Sequence, residues 1–517
     1  MDICMHIYRG ARYWPDRLAV VCGPRSLTFA QLNERSNRLA NALLGLGLRK
    51  GDRVAVQARN CTQLVELETA LLKAGLVKAA LNARFTAAEV SDVISNAKPV
   101  VMIVGPGFTH YNRETAGFGS VRHFISMNGQ GDDMLDYESL LAAADSDAPQ
   151  VQVSESDLAA LHFSSGSTGK IKAAMQTFRN RMACIRKMLF NNEVAPRPGD
   201  RLCLVGPITH ASGMFMQPYL FAGATLYILE KFDSAEFLAA VEQHRITHAF
   251  MVPTMIHMLL QEPTLATRDL SSLRMIFYGA APMAPARIEE AWQRIGPILT
   301  QGYGASESTS GVTLLTVQDH AEALRDAPHR LASCGRAYAE SQVRVVNERG
   351  EDVNGDEVGE IIISGDDVFV GYWGEPELTD EVLVEGWLHT GDLARVDEQG
   401  FIYIVDRKKD MVVSGGFNVY PTEVEAALYR HPAVYEACVI GVPDERWGEA
   451  VKAVVVTRDG HTLNEQELIA HCRTLLANYK APRSVDFVAV LPKNANGKLA
   501  RKEVRQSYWV GQQRMVN

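Results

Sequence analysis

Residues 158–172 read LAALHFSSGSTGKIK, a mostly apolar run that passes into small hydroxyl residues, two glycines and two lysines. Phosphate oxygens need several short donors, and glycine lets backbone N–H groups approach them closely. The stretch 164–172 is therefore a candidate phosphate-binding loop. Its spacing differs from that of the P-loop, which has four residues between its first glycine and Gly-Lys. Taken alone, the stretch is equally compatible with an ordinary polar turn.

A second stretch, 301–307, reads QGYGASE and places an aromatic ring, a hydroxyl and a carboxylate around two glycines. Tyr303 is a candidate to stack on a base and Ser306 to bond a phosphate. Glu307 is a candidate to hold magnesium, whose preference for hard oxygen ligands suits a carboxylate beside phosphates. A Gly-Tyr-Gly turn is common, so this stretch alone is weak support for a nucleotide site.

Two further stretches lie nearer the C-terminus. Residues 387–392 read WLHTGD and put Asp392 just after a turn, where its two oxygens suit the vicinal hydroxyls of a ribose. The alternative is an aspartate that caps its own turn. Residues 492–498 read PKNANGK and place Lys498 on a glycine-containing loop, where an ammonium can neutralise charge on a transferring group. Most single lysines are merely solvated, so the argument depends on all four stretches together.

Composition predicts a globular protein and excludes several classes. The 517 residues include 52 Lys and Arg against 61 Asp and Glu, and the net charge of −9 leaves no broad basic surface for nucleic acid. The first twelve residues lack the apolar core of a signal peptide, and no run reaches the roughly 20 apolar residues of a membrane span. The eight cysteines form no Cys-x-x-Cys pair, which favours reduced thiols in a cytoplasmic protein.

The order of predicted elements indicates an α/β fold. Thr28 and Gln31 resemble a capping box that begins a helix with an apolar stripe of leucines, and Gly45 can end it. Further units recur up to about residue 278, beginning with strand 52–58, helix 64–76 and strand 100–104. Such alternation predicts a mainly parallel sheet covered by helices.

The pattern changes at about residue 342 to short alternating strands with turns, which predicts a small barrel or meander. After the charged segment 406–410 it returns to helices and strands. Length alone suggests about two to four domains. We place the main boundary after residue 406, which gives an N-terminal part of residues 1–406 and a C-terminal domain of residues 407–517.

Read together, these stretches resemble in order and spacing the superfamily of acyl-CoA synthetases, nonribosomal-peptide adenylation domains and luciferases. Residues 164–173 are similar to its Thr-Ser-Gly-Thr-Thr-Gly-x-Pro-Lys-Gly stretch, and 302–307 to its Gly-Tyr-Gly-x-Thr-Glu. The remaining matches are 390–392 to Thr-Gly-Asp, 406–410 to Gly-Arg-x-Lys-Asp and 496–498 to the Gly-Lys loop. Residues 414–425, SGGFNVYPTEVE, are similar to the form in acid:CoA ligases, the subgroup that the chain resembles most.

The resemblance implies a large N-terminal domain of two α/β subdomains plus a small β-barrel, followed by a smaller mobile α+β C-terminal domain. It implies ATP, Mg²⁺ and an organic acid, with CoA as co-substrate. The carboxylate would attack the α-phosphate and expel pyrophosphate, and CoA would then take the acyl group from AMP. A swing about Lys409 would withdraw Lys498 and bring Gly415 and Gly416 in as a wall of the pantetheine tunnel.

The resemblance also assigns residues to each subsite. The catalytic set would be Lys498, Glu307, Lys172 and His210, with Glu307 as the magnesium ligand. The nucleotide would be held by Ser164, Ser165, Gly166, Ser167, Thr168, Gly169, Lys170, Gly279, Ala280, Ala281, Gly302, Tyr303, Gly304, Ser306, Asp392 and Arg407. The acyl pocket would be lined by His210, Met214, Phe215, Val252, Tyr278, Gly302, Thr309 and Val312.

Serine stands in place of threonine at positions 164, 167 and 306 and keeps the hydroxyl donor, and four other positions depart further from the family pattern. Ile171 stands in place of proline, Ala173 of glycine, and Phe178 of a histidine found in many CoA ligases. Asp406 stands where a glycine is frequent. The His, Met and aromatic residues of the acyl pocket suit a planar aryl or short hydrophobic acid, although Met and Phe are more often ordinary core residues.

An acid:CoA ligase is the leading hypothesis. The altered loop leaves open an adenylate-forming enzyme with another acceptor, such as a carrier protein, an amine or another small nucleophile. A noncatalytic nucleotide- or acyl-binding descendant is the third reading, and retention of Glu307, Asp392, Arg407 and Lys498 argues against it. A homodimer is compatible with the resemblance, but no residue identifies an interface.

Overall fold

The structure is a computed structural model that describes residues 3–165, 171–191, 193, 195–444, 446–458, 460–493 and 499–509. The chain forms two compact units, Met1–Val343 with Ile363–Leu388, and Arg344–Ile362 with His389–Asn517. The predicted boundary after residue 406 lies within the second of these units. Throughout the described ranges, no helix is both long enough and apolar enough to cross a membrane.

One sheet of the first unit is parallel over most of its width, as the alternation predicts. Its strands, in spatial order, are Leu135–Asp136, His123–Ser126, Val101–Val104, Arg53–Gln57, Val77–Leu81, Leu158–Ser165 and Ile171–Thr177. The last two strands are antiparallel and flank the candidate phosphate loop, with Ser164 opposite Lys172 in the register. The loop therefore starts and ends on one edge of this sheet.

Another sheet of the first unit carries the remaining nucleotide candidates of that unit. Its strands are Arg336–Ala337, Gly311–Leu315, Leu299–Gly304, Met275–Gly279, His248–Met251, Arg201–Leu204, Thr225–Ile228, Leu18–Cys22 and Arg25–Thr28. The strands 248–251, 275–279 and 299–304 are parallel neighbours. Their C-terminal ends therefore meet at one edge of the sheet, where ligands bind in open α/β folds.

Two helices lie in the core between these sheets. The helix Phe29–Gly45 begins with the Thr28–Gln31 capping box and buries a leucine stripe, which confirms both the predicted start and the predicted face. The helix Thr62–Ala74 is buried along its whole length. The largest apolar cluster joins residues of both helices to residues of both sheets.

The first unit has further helices, and several of them pack on the faces of the sheets. They are Met5–Tyr13, Ala87–Ala97, Tyr137–Ala143, Phe178–Phe190, Met216–Phe221, Ser234–His244, Pro253–Gln261, Pro285–Arg294, Val317–Asp326 and Pro376–Val382, with short 3₁₀ turns at Ala211–Phe215, Pro263–Thr267 and Pro328–Ala332. The α/β prediction for this part of the chain is confirmed.

Short strands occur where the sequence pattern changes, at Gln342–Val346, Gly359–Ser364, Leu383–Val384, Trp387–Val396 and Ile402–Arg407. Beyond them, the second unit contains a sheet in the order Phe417–Val419, Val412–Ser414, Gly448–Thr457 and Val434–Asp444, with Ser484–Phe487 paired to Gly448–Thr457. Its helices are Pro421–Tyr429, Glu465–Leu475 and Arg501–Gln506. The apolar faces of the first two helices pack on this sheet and form an α+β core.

Candidate active site

Glu307 lies in the turn that follows the strand Leu299–Gly304. Its carboxylate accepts a hydrogen bond from the Tyr372 hydroxyl at 2.7 Å, and its carbonyl accepts one from the Phe369 backbone N–H at 2.7 Å. Burial raises the pKa of Tyr372, and the neighbouring Glu307 carboxylate raises it further, so the phenol stays protonated and keeps donating. The segment 369–372 therefore fixes the orientation of the predicted magnesium ligand.

Lys172 contacts the same tyrosine, Tyr372, through its ammonium group. Its ammonium lies 5.2 Å from the centroid of the Tyr372 ring, within cation–π distance. On the same strand, Gln176 donates a side-chain N–H to the Ser306 carbonyl at 3.1 Å. The structure thus brings Lys172, Ser306 and Glu307 together from two separate stretches of sequence. Sequence reasoning missed Tyr372, whose only signal is the aromatic pair between glycines in 371–374, GYWG.

The Glu307 carboxylate is the group at this locus that suits a divalent cation. It is half-buried, and one of its oxygens is engaged by Tyr372. Among the described residues, no group of three His, Cys, Asp or Glu side chains forms an all-protein metal site. Mg²⁺ commonly binds through one or two carboxylates together with substrate phosphates and water, so one glutamate is a sufficient protein ligand.

The segment 279–281 begins at the end of the strand Met275–Gly279, next to the parallel strand that carries Tyr303. Gly279 is opposite Gly302 in the register, and a Cβ atom on Gly279 would lie 2.3 Å from the Gly302 carbonyl oxygen. Ala280 has a φ of +66°, a left-handed conformation that costs a residue with a side chain about 1 kcal/mol or more. Such strained residues concentrate at functional sites. We call the backbone of residues 279–281, next to the half-buried Tyr303, the shelf.

A buried hydrogen bond and a buried ion pair hold the segment that follows Glu307. Thr309 has a φ of +60°, and its hydroxyl donates to the Asp367 carbonyl at 2.8 Å. The Asp367 carboxylate forms a fully buried ion pair with Lys187 at 2.7 Å, and the Lys187 ammonium also donates to the Gly311 carbonyl at 2.7 Å. The helix Phe178–Phe190, which follows the phosphate-loop segment, is thereby tied to both ends of the 309–311 segment.

Three phenylalanines form an aromatic cluster that includes the acyl-pocket candidate Phe215. The ring of Phe215 lies 4.8 Å from that of Phe250 in a stacked arrangement and 5.2 Å from that of Phe277 in an edge arrangement. Phe250 and Phe277 were not among the predicted residues. Their signal was available, because they are register partners on adjacent predicted strands and therefore share a face.

Tyr278 lies on the opposite face of its strand from Phe277. Its hydroxyl donates to the Gln301 side-chain oxygen at 2.9 Å and lies 2.9 Å from Nε2 of His320. Burial raises the pKa of Tyr278. The structure therefore places Tyr278 in a separate apolar cluster, with Ile276 and Ile288, and not with the three phenylalanines.

The other acyl-pocket candidates differ in exposure. Met214 and Val252 are half-buried, whereas Val312 is fully buried on the strand Gly311–Leu315. Gly302 is buried, and a Cβ atom there would lie 2.5 Å from the Phe277 ring, so this glycine makes room for the aromatic cluster.

His210 is half-buried at the start of the turn Ala211–Phe215, and its Nδ1 lies 3.0 Å from Nε2 of His162. The two rings are nearly parallel, with centroids 4.9 Å apart. Burial lowers the pKa of His162 well below its ordinary value, and the nearby His210, Lys78 and Arg181 lower it further. His162 lies in the apolar run that precedes the phosphate loop, and sequence reasoning did not single it out.

Asp392 and Arg407 face each other in the second unit. They are register partners on the antiparallel strands Trp387–Val396 and Ile402–Arg407, and the Arg407 Nε lies 3.2 Å from the Asp392 carboxylate. Asp392 is largely buried and Arg407 is exposed. The two residues predicted to bind a ribose are therefore adjacent, with an acceptor and a donor side by side.

The predicted hinge segment is anchored by a buried arginine. Arg501 donates two hydrogen bonds to the Glu425 carboxylate at 2.7 and 2.8 Å. It also forms ion pairs with Asp410 at 3.5 Å and Asp406 at 3.7 Å. These two aspartates flank Lys409, which is exposed. Sequence reasoning did not identify Arg501.

Gly415 and Gly416 form the two-residue turn of a hairpin. Their φ angles are +59° and +81°, and the flanking residues Ser414 and Phe417 are register partners. Two successive positive φ angles are typical of the type I′ hairpin turn. A Cβ atom on Gly415 would also lie 2.4 Å from the Trp447 ring, so both backbone and packing require glycine there.

Part of the predicted site lies outside the described residues. These are Gly166, Ser167, Thr168, Gly169, Lys170 and Lys498, together with the side chain of Ser165. The residues near the phosphate loop that depart from the family pattern, Ile171, Ala173 and Phe178, lie within the described residues. Ile171 and Ala173 lie in the strand that leaves the loop, and Phe178 is buried at the start of the following helix.

The chain is similar to known proteins over nearly its whole length. A family model described as AMP-binding enzyme matches residues 7–373, and one described as AMP-binding enzyme C-terminal domain matches residues 423–498. The chain is 39% identical to a feruloyl-CoA synthase of Amycolatopsis sp, covering 97% of this chain and 98% of that protein. It is 36% identical to the medium/long-chain-fatty-acid–CoA ligase FadD8 of Mycobacterium tuberculosis, covering 96% and 88%. The solved structure of the amide bond synthetase McbA from Marinactinospora thermotolerans superposes with a TM-score of 0.87 at 29% identity, covering 98% of this chain and 100% of that one.

Proposed function

We propose that this chain, which belongs to the AMP-binding enzyme family and is an AMP-forming acid–thiol ligase, activates an aryl or arylalkenoic acid. The likeness to feruloyl-CoA synthase along nearly the whole chain carries this choice of acid. The aromatic cluster of Phe215, Phe250 and Phe277 supports it, since aromatic faces and edges pack well against a planar acid.

In the first step, a carboxylate oxygen of the acid attacks the α-phosphorus of ATP. The new P–O bond forms as the bond to pyrophosphate breaks, so acyl adenylate and pyrophosphate are the products. Negative charge spreads over the phosphate oxygens in this step, and cations placed there lower the barrier. Lys172 supplies one positive charge, and its position over Tyr372 supports this role.

Glu307 would hold Mg²⁺, which neutralises charge on the phosphates when it is bound. The Tyr372 hydroxyl holds the Glu307 carboxylate in place for this task. Lys498 would contribute a further positive charge between the acid and the α-phosphate. The shelf 279–281 and Tyr303 would hold the adenine, and Asp392 and Arg407 the ribose hydroxyls.

In the second step, the CoA sulfur attacks the acyl carbonyl carbon. The thiol proton is released, the C–O bond to AMP breaks, and the acyl-CoA thioester forms. We propose that residues 407–517 move about Lys409 between the two steps, so that Lys498 leaves and the Gly415–Gly416 turn forms one wall of the thiol channel. The exposed Lys409 and the required glycines at the turn support this proposal.

The eight cysteines are all free thiols, which supports a reducing, cytoplasmic location. A homodimer stays a prediction.

The test is pyrophosphate release with Mg-ATP across benzoic, arylalkenoic and medium-chain aliphatic acids, each with and without CoA. We expect the largest kcat/KM with an aryl or arylalkenoic acid, and thioester formation with CoA. A higher kcat/KM for the aliphatic acids would refute the choice of acid. Release that is indifferent to CoA but accelerated by an amine or a carrier protein would show a different acceptor, as in the amide bond synthetase whose structure is similar.

A further inference from the structure

The side chain of His162 lies on the opposite face of its strand from those of its sequence neighbours Leu161 and Phe163. Leu161 and Phe163 belong to the apolar cluster on one face of the strand Leu158–Ser165. Alternation along the strand directs His162 to the other face, where its register partner is Ala80. On that face its Nε2 meets Nδ1 of His210 at 3.0 Å. An imidazole from the sheet thus contacts an imidazole that the sequence assigns to the acyl pocket.

The surroundings of His162 carry a net positive charge. Glu68, from the buried helix Thr62–Ala74, forms ion pairs with both Lys78 and Arg181. Apart from His210, the charged groups that lower the pKa of His162 are Lys78 and Arg181, which share the single carboxylate of Glu68. A second proton on the imidazole is therefore disfavoured by charge as well as by burial.

A neutral His162 has two tautomers, and the contacts favour one of them. Among the described residues, the one hydrogen bond of His162 is the Nε2 contact with His210. A proton on Nδ1 has no acceptor in the part of the chain that the structure describes, and it adds positive charge near Lys78 and Arg181. A proton on Nε2 donates to His210 and leaves the Nδ1 lone pair in that positive field.

We propose that His162 is a positioning residue that donates its Nε2–H to Nδ1 of His210 and thereby places the single proton of His210 on Nε2. His210 is then fixed as a hydrogen-bond donor toward the acid, where it binds an oxygen that carries negative charge. The inference rests on the proposed function in one respect, the position of His210 at the acid. The tautomer itself follows from the hydrogen bond and the charges and needs no substrate.

The kinetic test compares H162Q, H162M and H162N. Glutamine carries an amide N–H at about the position of Nε2, so H162Q should keep kcat for acid-dependent pyrophosphate release within about threefold. H162M removes the donor, and H162N places it nearer the backbone. Both should lower kcat about tenfold, the scale of one lost hydrogen bond, with the KM for ATP unchanged. H6M, which removes a buried histidine bonded to Gln217, is the control for loss of a buried imidazole.

The decisive comparison repeats the substitution in an H210A background. If His162 acts through His210, H162M lowers kcat about tenfold in the wild-type background and by less than about twofold in H210A. An equal loss in both backgrounds would overturn the proposal, and so would a fall in H162Q as large as that in H162M. Should H162M fail to fold by circular dichroism, H162N provides the same comparison.

A second readout is independent of catalysis. In protein labelled with ¹⁵N-histidine, the His210 signals are those lost in H210A. We expect wild-type His210 to be protonated on Nε2, and H162M to shift its tautomer ratio. Wild-type protonation on Nδ1 would overturn the proposal even if the acid is identified. Failure of all acids in the pyrophosphate assay would count against the proposed function and would leave the tautomer result standing.

Discussion

Replacing Arg501 by methionine should destabilise the second unit more than any surface change. The Arg501 side chain is 15% exposed, and its partners Glu425, Asp406 and Asp410 are 11%, 1% and 13% exposed. Methionine keeps most of the apolar stem but removes the guanidinium. Glu425 and Asp406 then lose this counter-charge, whereas Asp410 keeps its ion pair with Arg505 at 3.6 Å.

The expected magnitude follows from the burial of these groups. Removing one partner of a buried ion pair typically costs about 3–5 kcal/mol, because the remaining charge is left uncompensated. Burial already raises the pKa values of Glu425 and Asp406 with Arg501 present. A carboxyl whose pKa is higher in the folded state binds more protons when folded, so stability falls as pH rises between the unfolded and folded pKa values. Arg501→Met should raise both pKa values further.

The loss in Arg501→Met should therefore be largest near pH 7 and should shrink as pH falls toward about 4, the ordinary value of these carboxyls. Hydrogen exchange read by mass spectrometry measures local opening. At pH 7 we expect peptides from Pro421–Tyr429 and Val434–Asp444 to exchange roughly a hundredfold or more faster. Arg344→Met is the matched control, since its ion pair with Asp352 is exposed and worth less than about 1 kcal/mol. Exchange in Arg501→Met that equals the control, or a loss that grows as pH falls, would refute this reasoning.

Three further substitutions test the site. Lys498→Ala should slow acyl-adenylate formation about a hundredfold or more while sparing thioester formation from preformed acyl adenylate; an equal loss in both half-reactions would contradict the role of Lys498. Asp392→Ala should raise the KM for ATP without changing the circular dichroism spectrum, and an unchanged KM would remove Asp392 from the nucleotide site. Gly415→Ala must place a methyl group against Trp447 at a positive φ, so it should slow thioester formation from preformed acyl adenylate more than adenylation; two equal rates would contradict the channel.

Local patterns in the sequence predicted the helices and strands of the protein well. The Thr28–Gln31 capping box is a pattern over four residues, and the structure has it. Asp392 and Arg407 lie opposite each other on two paired strands, in the region where the sequence predicts short alternating strands with turns. In such cases the residues that interact are near in sequence or are placed by adjacent elements, so alternation and turn chemistry are sufficient.

The missed residues share a different property, because each acts through one contact between distant parts of the chain. Tyr372 contacts Glu307 across 65 residues, Arg501 contacts Glu425 across 76, and His162 contacts His210 across 48. The sequence around Tyr372, Arg501 or His162 contains no repeating pattern from which a partner so far along the chain could be predicted. The chemistry of these residues becomes visible only when the fold fixes which side chains meet.

The departure from the family pattern at Asp406 has a physical reason, which is a helix cap. The helix Pro421–Tyr429 has no side-chain cap from its own Ncap residue, Tyr420. Instead the Asp406 carboxylate accepts the Thr422 backbone N–H at 2.9 Å and the Thr422 hydroxyl at 3.1 Å. A carboxylate at a helix N-terminus also interacts favourably with the helix dipole. A glycine at position 406 has no side chain to do this. Asp406 therefore fixes the end of the strand Ile402–Arg407 to this helix and to Arg501. Because both partners belong to residues 407–517, a movement of these residues about Lys409 has to break the contacts of Asp406, and their loss is part of the cost of the movement.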